Sequence, residues 1–114
     1  MTRLYSLASL VPDSYGIETT AKITELLVSL ETKDELKPIT IYEYIIADDT
    51  GCIILNTQQQ LEVDQVYTLK DGYTKLIEDN LRLYSNTLLP CPEYKMDSID
   101  LHNNRSFISF HYKL

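Results

Sequence analysis

The sequence contains no tryptophan and only two phenylalanines, three glycines and four prolines. Such low glycine and proline contents exclude a collagen-like chain and a flexible low-complexity linker. No uninterrupted apolar stretch approaches the roughly 18 residues of a membrane span, and residues 1–10 lack the apolar run of a signal peptide. We therefore expect a globular, intracellular protein that has no membrane partner.

Cysteine is also scarce, since Cys52 and Cys91 are the only two in the chain. Two cysteines are too few for a disulfide-rich scaffold, and intracellular thiols are kept reduced. We expect two free thiols, and a single disulfide between them is the alternative. Together with His102 and His111, they match no spacing that is typical of a zinc site. The sequence therefore predicts no metal site and no cofactor.

Patterns of catalytic residues are lacking as well. Cys91 lies between two prolines, and the sequence places no general base beside it. Asp48 and Asp49 are adjacent carboxylates, but neighbouring residues of a turn point apart, and turn formation explains both. No glycine-rich phosphate-binding loop occurs. We therefore expect a protein that is not an enzyme.

Basic residues are outnumbered, with 10 lysines and arginines against 17 aspartates and glutamates, for a formal net charge of −7. Tight, sequence-independent binding to duplex nucleic acid needs many cations near the phosphates, so this charge counts against it. The same charge does not exclude a local basic strip, because the field in a groove depends on the nearby groups.

The residues that are abundant are tyrosine, which occurs nine times, and β-branched apolar residues. A chain of 114 residues is long enough for one domain, residues 1–114, with a single core. Its central stretch, residues 44–56, consists of two apolar runs around a turn at residues 48–51. Asp48 can close this turn through its side chain, and Gly51 tolerates a positive φ. This pattern predicts a β-hairpin that organises the rest of the chain.

Short strands at close spacing account for most of the remaining sequence. They are predicted over residues 17–31, 39–48, 52–57, 66–78, 81–85 and 106–113. Residues 26–30 and 58–62 are each also compatible with a helical turn, residues 86–97 are expected to be irregular, and residues 102–105 to form a turn. Leu7 and Leu10 belong to an apolar lead-in that we expect to pack at one end of the core. Short strands without a long helix predict a small all-β barrel or sandwich.

Residues 66–85 predict a hairpin with Asp79 and Asn80 as its two-residue turn, which places Lys75 opposite Tyr84. Side chains alternate across a strand, so the residues of the two arms divide between two faces. The inward set is Leu76, Leu81 and Leu83, and the outward set is Tyr73, Lys75, Ile77, Arg82 and Tyr84. The alternation changes near Gly72, which predicts a β-bulge at that glycine.

The outward set combines two aromatic rings with two cations. Rings can stack on bases and cations can contact phosphates, so this composition is typical of a platform for single-stranded nucleic acid. An ordinary solvated sheet face is the alternative, because Tyr and Arg are common on such faces and a cross-strand contact between Lys and Tyr needs no ligand.

Several segments, taken in order, resemble one known family. Residues 46–53, Ile-Ala-Asp-Asp-Thr-Gly-Cys-Ile, resemble its V-A-D-x-T-G-x-I hairpin, and residues 7–12 resemble its I-x-x-L-x-P-G lead-in. Residues 70–73 followed by 81–84 resemble its fourth and fifth strands, and residues 103–112 resemble the final strand of a related plant group. The family is that of the simple OB-fold single-stranded-DNA-binding proteins, which includes the archaeal type and the animal sensor-of-single-stranded-DNA B subunit.

The resemblance implies an all-β fold, a five-stranded Greek-key OB-fold barrel with an extra C-terminal strand. It also implies that a single strand of DNA or RNA binds across the second to fifth strands, with Tyr73 and Tyr84 at two stacking positions. Gln58 stands where the family often has Trp, Ile77 where it often has Phe, and residues 78–79 where a Lys-Gly turn is common. We therefore expect weak to moderate affinity. The expected nucleic-acid-binding residues are Tyr73, Lys75, Arg82, Tyr84, Asn56 and Gln58.

The same departures from the family pattern favour a second hypothesis. Ile45, Ile54 and Ile77 share the predicted outer face with the two tyrosines, and an exposed apolar patch marks a protein interface. The acidic net charge agrees with docking onto a basic partner. This alternative is a non-catalytic accessory OB-fold subunit whose partners are protein subunits of a larger nucleic-acid complex, such as a telomere, repair or DNA-modifying assembly. Both hypotheses imply an intracellular, nuclear location.

Overall fold

The computed structural model describes residues 5–32 and 37–107. Its elements in chain order are a 3-10 turn (Leu7–Ser9) and the strands β1 (Ile17–Thr32), β2 (Ile39–Ala47), β3 (Cys52–Thr57), β4 (Val66–Ile77), β5 (Asn80–Tyr84) and β6 (Thr87–Pro90). In these described ranges, no helix has the length and hydropathy needed to span a membrane.

Five of the strands form a closed ring. The order is β1-β2-β3-β5-β4, and the ring closes because β1 also pairs with β4. The β3–β5 pairing is parallel, whereas the other pairings are antiparallel. β6 pairs with the first part of β4, beyond the part that pairs with β5. The predicted all-β barrel of five strands is confirmed, and the structure adds β6 as a sixth strand.

Alternation along each strand fills the ring with apolar side chains. In β5, for example, Leu81 and Leu83 are fully buried, whereas Arg82 and Tyr84 are partly exposed. The lead-in packs into the core as predicted, because its two leucines are fully buried. The core includes Leu7, Leu10, Ile17, Ile23, Tyr44, Ile46, Ile53, Leu55, Leu69, Leu81, Leu83 and Leu88.

Asp48 fixes the central turn, and the predicted hairpin is confirmed. Its Oδ1 accepts hydrogen bonds from the Thr50 N–H, the Thr50 hydroxyl and the Gly51 N–H at 2.6–3.1 Å. Its Oδ2 accepts one from the Leu7 N–H at 2.9 Å, which ties the lead-in to the turn. Gly51 serves close packing here, since a Cβ at this position would lie 2.8 Å from the Asn103 carbonyl oxygen.

The turn between β4 and β5 lies one residue earlier than predicted. It consists of Glu78 and Asp79, which have positive φ values of 51° and 68°. Positive φ at both central residues is the geometry of hairpin turns that match strand twist. Consequently Tyr84 lies opposite Tyr73, and its predicted pairing with Lys75 is wrong. The register differs from the predicted one by two residues, so every side chain keeps its predicted face.

A bulge interrupts β4 where the alternation changes, as predicted. Ile17 and Thr19 of β1 pair with Gly72 and Leu69 of β4, so β4 holds one extra residue. The residue with positive φ is Asp71, at 53°, and not Gly72. Gly72 is needed for packing, because a Cβ there would lie 2.7 Å from Leu69 Cδ2.

The predicted strand over residues 17–31 is confirmed, since residues 26–30 belong to β1 and form no helical turn. Two further expectations differ from the structure in detail. Residues 58–62, which were also compatible with a helical turn, contain none. β6 lies within residues 86–97, which were expected to be irregular. It forms because its backbone pairs with β4 from Tyr67 to Lys70, although a proline within a short run argues against a strand.

The C-terminal segment links β3 to β5 within the described residues. Ser106 Oγ accepts a hydrogen bond from the Ile54 N–H at 2.8 Å and donates one to the Leu81 carbonyl. Ser106 and Phe107 form a turn where the last strand was predicted to begin. The remainder of that predicted strand, residues 108–113, lies outside the described residues.

Candidate nucleic-acid interface

Four neighbouring strands present one continuous outer surface, which we call the outer platform. β2, β3, β5 and β4 lie side by side in that order, so their outward residues form rows across the sheet. The outer platform comprises a first row of Glu43, Asn56, Tyr84 and Tyr73 and a second row of Ile45, Ile54, Arg82 and Lys75. The four residues on which the sequence-based prediction rested, two tyrosines and two cations, therefore lie together on one wall of the barrel.

Three tyrosine rings are stacked at one end of the first row. The Tyr73 and Tyr84 ring centroids are 5.1 Å apart with planes inclined by 6°, and Tyr15 stacks on Tyr73 at 6.2 Å and 20°. Tyr15 is held there because Ser14 and Thr74 exchange hydrogen bonds, the Ser14 N–H to Thr74 Oγ1 and the Thr74 N–H to the Ser14 carbonyl. Tyr73, which pairs with Tyr84 across the two strands, therefore lies between the other two rings.

Sequence analysis missed Tyr15 as a member of this stack. It belongs to the turn before β1, where no alternation of side chains assigns a face. Only the long-range hydrogen bonds to Thr74 bring it to the outer platform. Tyr15 is 70% exposed, so its ring is available to a ligand.

The two cations of the outer platform differ in exposure and in pairing. The Lys75 Nζ lies 5.5 Å from the centroid of the Tyr73 ring, close enough for a cation–π contact, and the side chain is exposed. Arg82 Nη1 forms an ion pair with Glu43 Oε1, which also accepts a hydrogen bond from Asn56 Nδ2 at 3.4 Å. Glu43 therefore offsets one of the two positive charges that the prediction assigned to phosphate contact.

Burial raises the pKa of the Tyr84 hydroxyl above its ordinary value. The Arg82 charge acts in the opposite direction on this pKa, and Tyr73 and Glu43 add to the increase. Since an unperturbed tyrosine titrates near pH 10, Tyr84 is neutral at physiological pH. Its ring is thus an uncharged stacking surface, which suits a base and does not repel a phosphate.

A groove of about 340 Å³ runs beside the tyrosine stack. The predicted residue Gln58 is exposed in its lining, and its N–H donates to Asn86 Oδ1 at 2.9 Å. Among the described residues, Asn56 Oδ1 is buried without a hydrogen-bond partner. The residues that line the groove include Ile41, Asn56, Gln58, Asp71, Tyr73, Tyr84 and Asn86. The lining of the groove therefore combines two aromatic rings with side-chain amides.

The three isoleucines predicted as a protein interface do not form one exposed patch. Ile54 lies on the predicted face, between Ile45 and Arg82 in the second row, but it is only 5% exposed. Ile45 is half-buried, and Ile77 is 37% exposed at the edge next to the β4–β5 turn. The expected apolar surface on the outer platform is thus reduced to Ile77 and part of Ile45.

The described cysteines considered for catalysis or metal binding are both free thiols. Cys52 is buried, and burial together with the charges of Asp100 and Asp48 raises the pKa of its thiol. Cys91 is a second free thiol, which contacts the Thr68 hydroxyl at 3.1 Å. Across residues 5–32 and 37–107, no group of three His, Cys, Asp or Glu residues has the geometry to hold a metal ion.

Solved structures with the same strand arrangement come from a plant and two archaea. A hypothetical protein, F20O9.120, from Arabidopsis thaliana superposes with a TM-score of 0.76 at 19% identity, over 97% of this chain and 88% of its own. The OB domain of Ta0387 from Thermoplasma acidophilum gives a TM-score of 0.68 at 17% identity, over 77% of this chain and 86% of its own. The fold is an OB fold.

A third solved structure extends this comparison to a replication protein. The second OB-fold domain of replication protein A from Methanococcus maripaludis gives a TM-score of 0.62 at 15% identity, over 75% of this chain and 92% of its own. No protein-family model and no curated protein matches the chain. At these identities the likeness shows the OB fold alone, so the narrower resemblance to single-stranded-DNA-binding subfamilies stays a prediction.

Proposed function

We propose that the outer platform of this OB fold binds single-stranded nucleic acid, DNA in the first instance, with weak to moderate affinity. The observation that carries the proposal is the stack of Tyr15, Tyr73 and Tyr84 beside an open groove. Aromatic side chains on an OB-fold surface provide stacking positions for successive bases, and any base can use them because every base has a π-face.

The proposed role of each residue follows from its position. A base stacks on the face of Tyr84 that is directed toward Asn56, its neighbour across the sheet, whose amide lies within the groove. Lys75 is exposed beside Tyr73 and contacts a phosphate. Arg82 contributes less than a free arginine would, since it is paired with Glu43. No residue is assigned a catalytic role, and the proposed location is the nucleus.

Titration of a fluorescein-labelled oligo-dT at low salt tests this proposal, with a duplex of the same length as the control. We expect binding to the single strand and none to the duplex at the same protein concentration. With one or two phosphate contacts, the slope of log K against log salt is expected to be about −1, since each contact on a single strand contributes roughly −0.7. Equal affinity for both oligonucleotides, or a slope of about −5, would contradict the outer platform as the binding site.

A second proposed function is that of an accessory OB-fold subunit that binds protein partners in a nucleic-acid complex. The Glu43–Arg82 pair favours it, because that pair lowers the positive charge available to phosphates. Ile77, at the edge next to the β4–β5 turn, offers exposed apolar surface. We expect Ile77→Asp to reduce recovery of co-purifying proteins from native extracts several-fold, because a charge would be buried at the interface. Glu78→Gln, a change on the neighbouring turn residue, is the control. Unchanged recovery with Ile77→Asp would exclude this surface.

A further inference from the structure

The first hairpin of the barrel extends past the start of β4, where residues 25–32 of β1 pair with residues 39–45 of β2 in what we call the ribbon. β3 pairs with β2 from Tyr42 onward, so the ribbon is two-stranded where residues 30–32 of β1 pair with residues 39–41 of β2. β1 pairs with β4 only from Ile17 to Lys22, and backbone hydrogen bonds from residues 64–65 extend that contact to Ile23. Pairing with β2 continues to Thr32. In the described part of the chain, the outer edge of β1 from Glu25 onward therefore has no strand beside it.

This edge carries an unusual concentration of exposed apolar side chains. Leu26, Leu27, Val28 and Leu30 are 45%, 39%, 43% and 55% exposed. Natural sheet edges are usually blunted by lysine, proline or bulges, because unpaired backbone groups are a template for another strand. Residues 25–32 contain neither lysine nor proline. The bulges in β1 lie earlier, at residues 24 and 27, so the edge is regular from Val28 to Thr32.

The regular part of the edge has two chemically different faces. Val28 and Leu30 are on one face, and Leu30 lies opposite Ile41 of β2. Ser29 and Glu31 are on the other face, because successive residues of a strand point to opposite sides. A strand added here would meet apolar side chains on one face and a hydroxyl and a carboxylate on the other.

We propose that the edge at residues 28–32 binds an extended segment of a basic protein partner by strand addition. The segment would place apolar residues beside Val28 and Leu30 and lysine or arginine beside Glu31. Backbone hydrogen bonds supply affinity in this mode of recognition, and alternate side chains supply specificity. The charge of the chain, −7, favours a basic segment. This inference is independent of nucleic-acid binding by the outer platform.

A second copy of the chain fits this edge less well. Each copy carries the same net charge of −7, so two copies repel. Antiparallel self-pairing of residues 28–32, centred on Leu30, would also put the two Glu31 residues at diagonal positions on one face, about 7–8 Å apart, where their like charges repel. Nucleic acid fits less well too, because residues 25–32 and 39–43 contain no lysine or arginine to meet phosphates.

Three labelled peptides of about seven residues test the proposal with the full chain. The first alternates Val with Lys, the second alternates Val with Glu, and the third has the composition of the first with its valines and lysines in separate blocks. We expect binding of the first peptide only, with slowed amide hydrogen exchange confined to residues 28–32. Binding of the blocked peptide with equal affinity would show general charge attraction and overturn the proposal, as would binding of none of them.

Variants of the chain locate the site. We expect Leu30→Lys to weaken binding of the alternating Val-Lys peptide about tenfold, while Val63→Lys, at a comparably exposed valine outside the ribbon, leaves it unchanged. Glu31→Lys is expected to reverse the preference toward the Val-Glu peptide. The proposal is overturned if Leu30→Lys and Val63→Lys have the same effect on peptide binding. It is also overturned if oligo-dT slows amide hydrogen exchange at residues 28–32, or if the wild-type chain forms a dimer that Leu30→Lys dissociates.

Discussion

Replacing Tyr84 with alanine is expected to weaken binding of a single-stranded oligonucleotide by roughly fivefold to 150-fold, the equivalent of about 1–3 kcal/mol for one stacked base. Tyr73→Ala should cause a loss of similar size for a different reason. Tyr73 lies between the Tyr15 and Tyr84 rings, so its removal leaves both without the neighbour that holds their planes nearly parallel. Anisotropy titration with labelled oligo-dT at low salt measures both losses.

Two controls separate stacking from general damage to the barrel. Tyr84→Phe keeps the ring and removes only the hydroxyl, so its affinity should stay close to that of wild type. Tyr94→Ala removes an aromatic side chain that is 56% exposed and lies outside the outer platform, and it should not change affinity. Equal affinity for wild type and the Tyr73→Ala/Tyr84→Ala double variant would exclude the stacking role, provided that the melting temperatures of the two proteins agree.

Features that depend on local alternation could be predicted from the sequence. The central hairpin follows from an aspartate-rich turn between two apolar runs, and Asp48 indeed binds the turn N–H groups. The outward position of Tyr73 and Tyr84 survived a wrong turn assignment, because an error of two residues in register preserves the faces of a sheet. The turn was misplaced because the residues with positive φ, Glu78 and Asp79, are not glycines, and glycine is the residue by which a sequence usually indicates such a turn.

Features that depend on distant parts of the chain could not be predicted. Tyr15 reaches the stack through hydrogen bonds to Thr74, and no local pattern records that contact. The pairing of Glu43 with Arg82 joins residues on two strands that are not neighbours, across the intervening β3. The face on which Glu43 lies could have been predicted, since alternation along β2 assigns it to the same face as Ile45. Its ion pair with Arg82 could not, because the strand order that brings the two side chains together is not encoded in a local pattern.

Glu43→Gln is expected to strengthen binding of single-stranded nucleic acid about tenfold, or by about 1.4 kcal/mol. The glutamate holds Arg82 in an ion pair whose two side chains are only 20% and 22% exposed, so water screens the interaction incompletely. A phosphate must compete with this carboxylate for the guanidinium group and is also repelled by it. The glutamine amide oxygen can still accept a hydrogen bond from Arg82, so the variant removes the charge while it retains the support of the side chain.

The matched control is Glu93→Gln, which changes the net charge by the same unit at an exposed residue outside the outer platform. Oligo-dT titrations of both variants at several salt concentrations make the comparison. If Arg82 becomes available, Glu43→Gln alone should raise affinity, and its salt slope should become steeper by about 0.7, the contribution of one phosphate contact on a single strand. An equal gain in both variants would mean that only overall charge matters. A loss of affinity in Glu43→Gln would mean that the carboxylate itself contacts the ligand, as a hydrogen-bond acceptor for a base, and that Arg82 serves to position it.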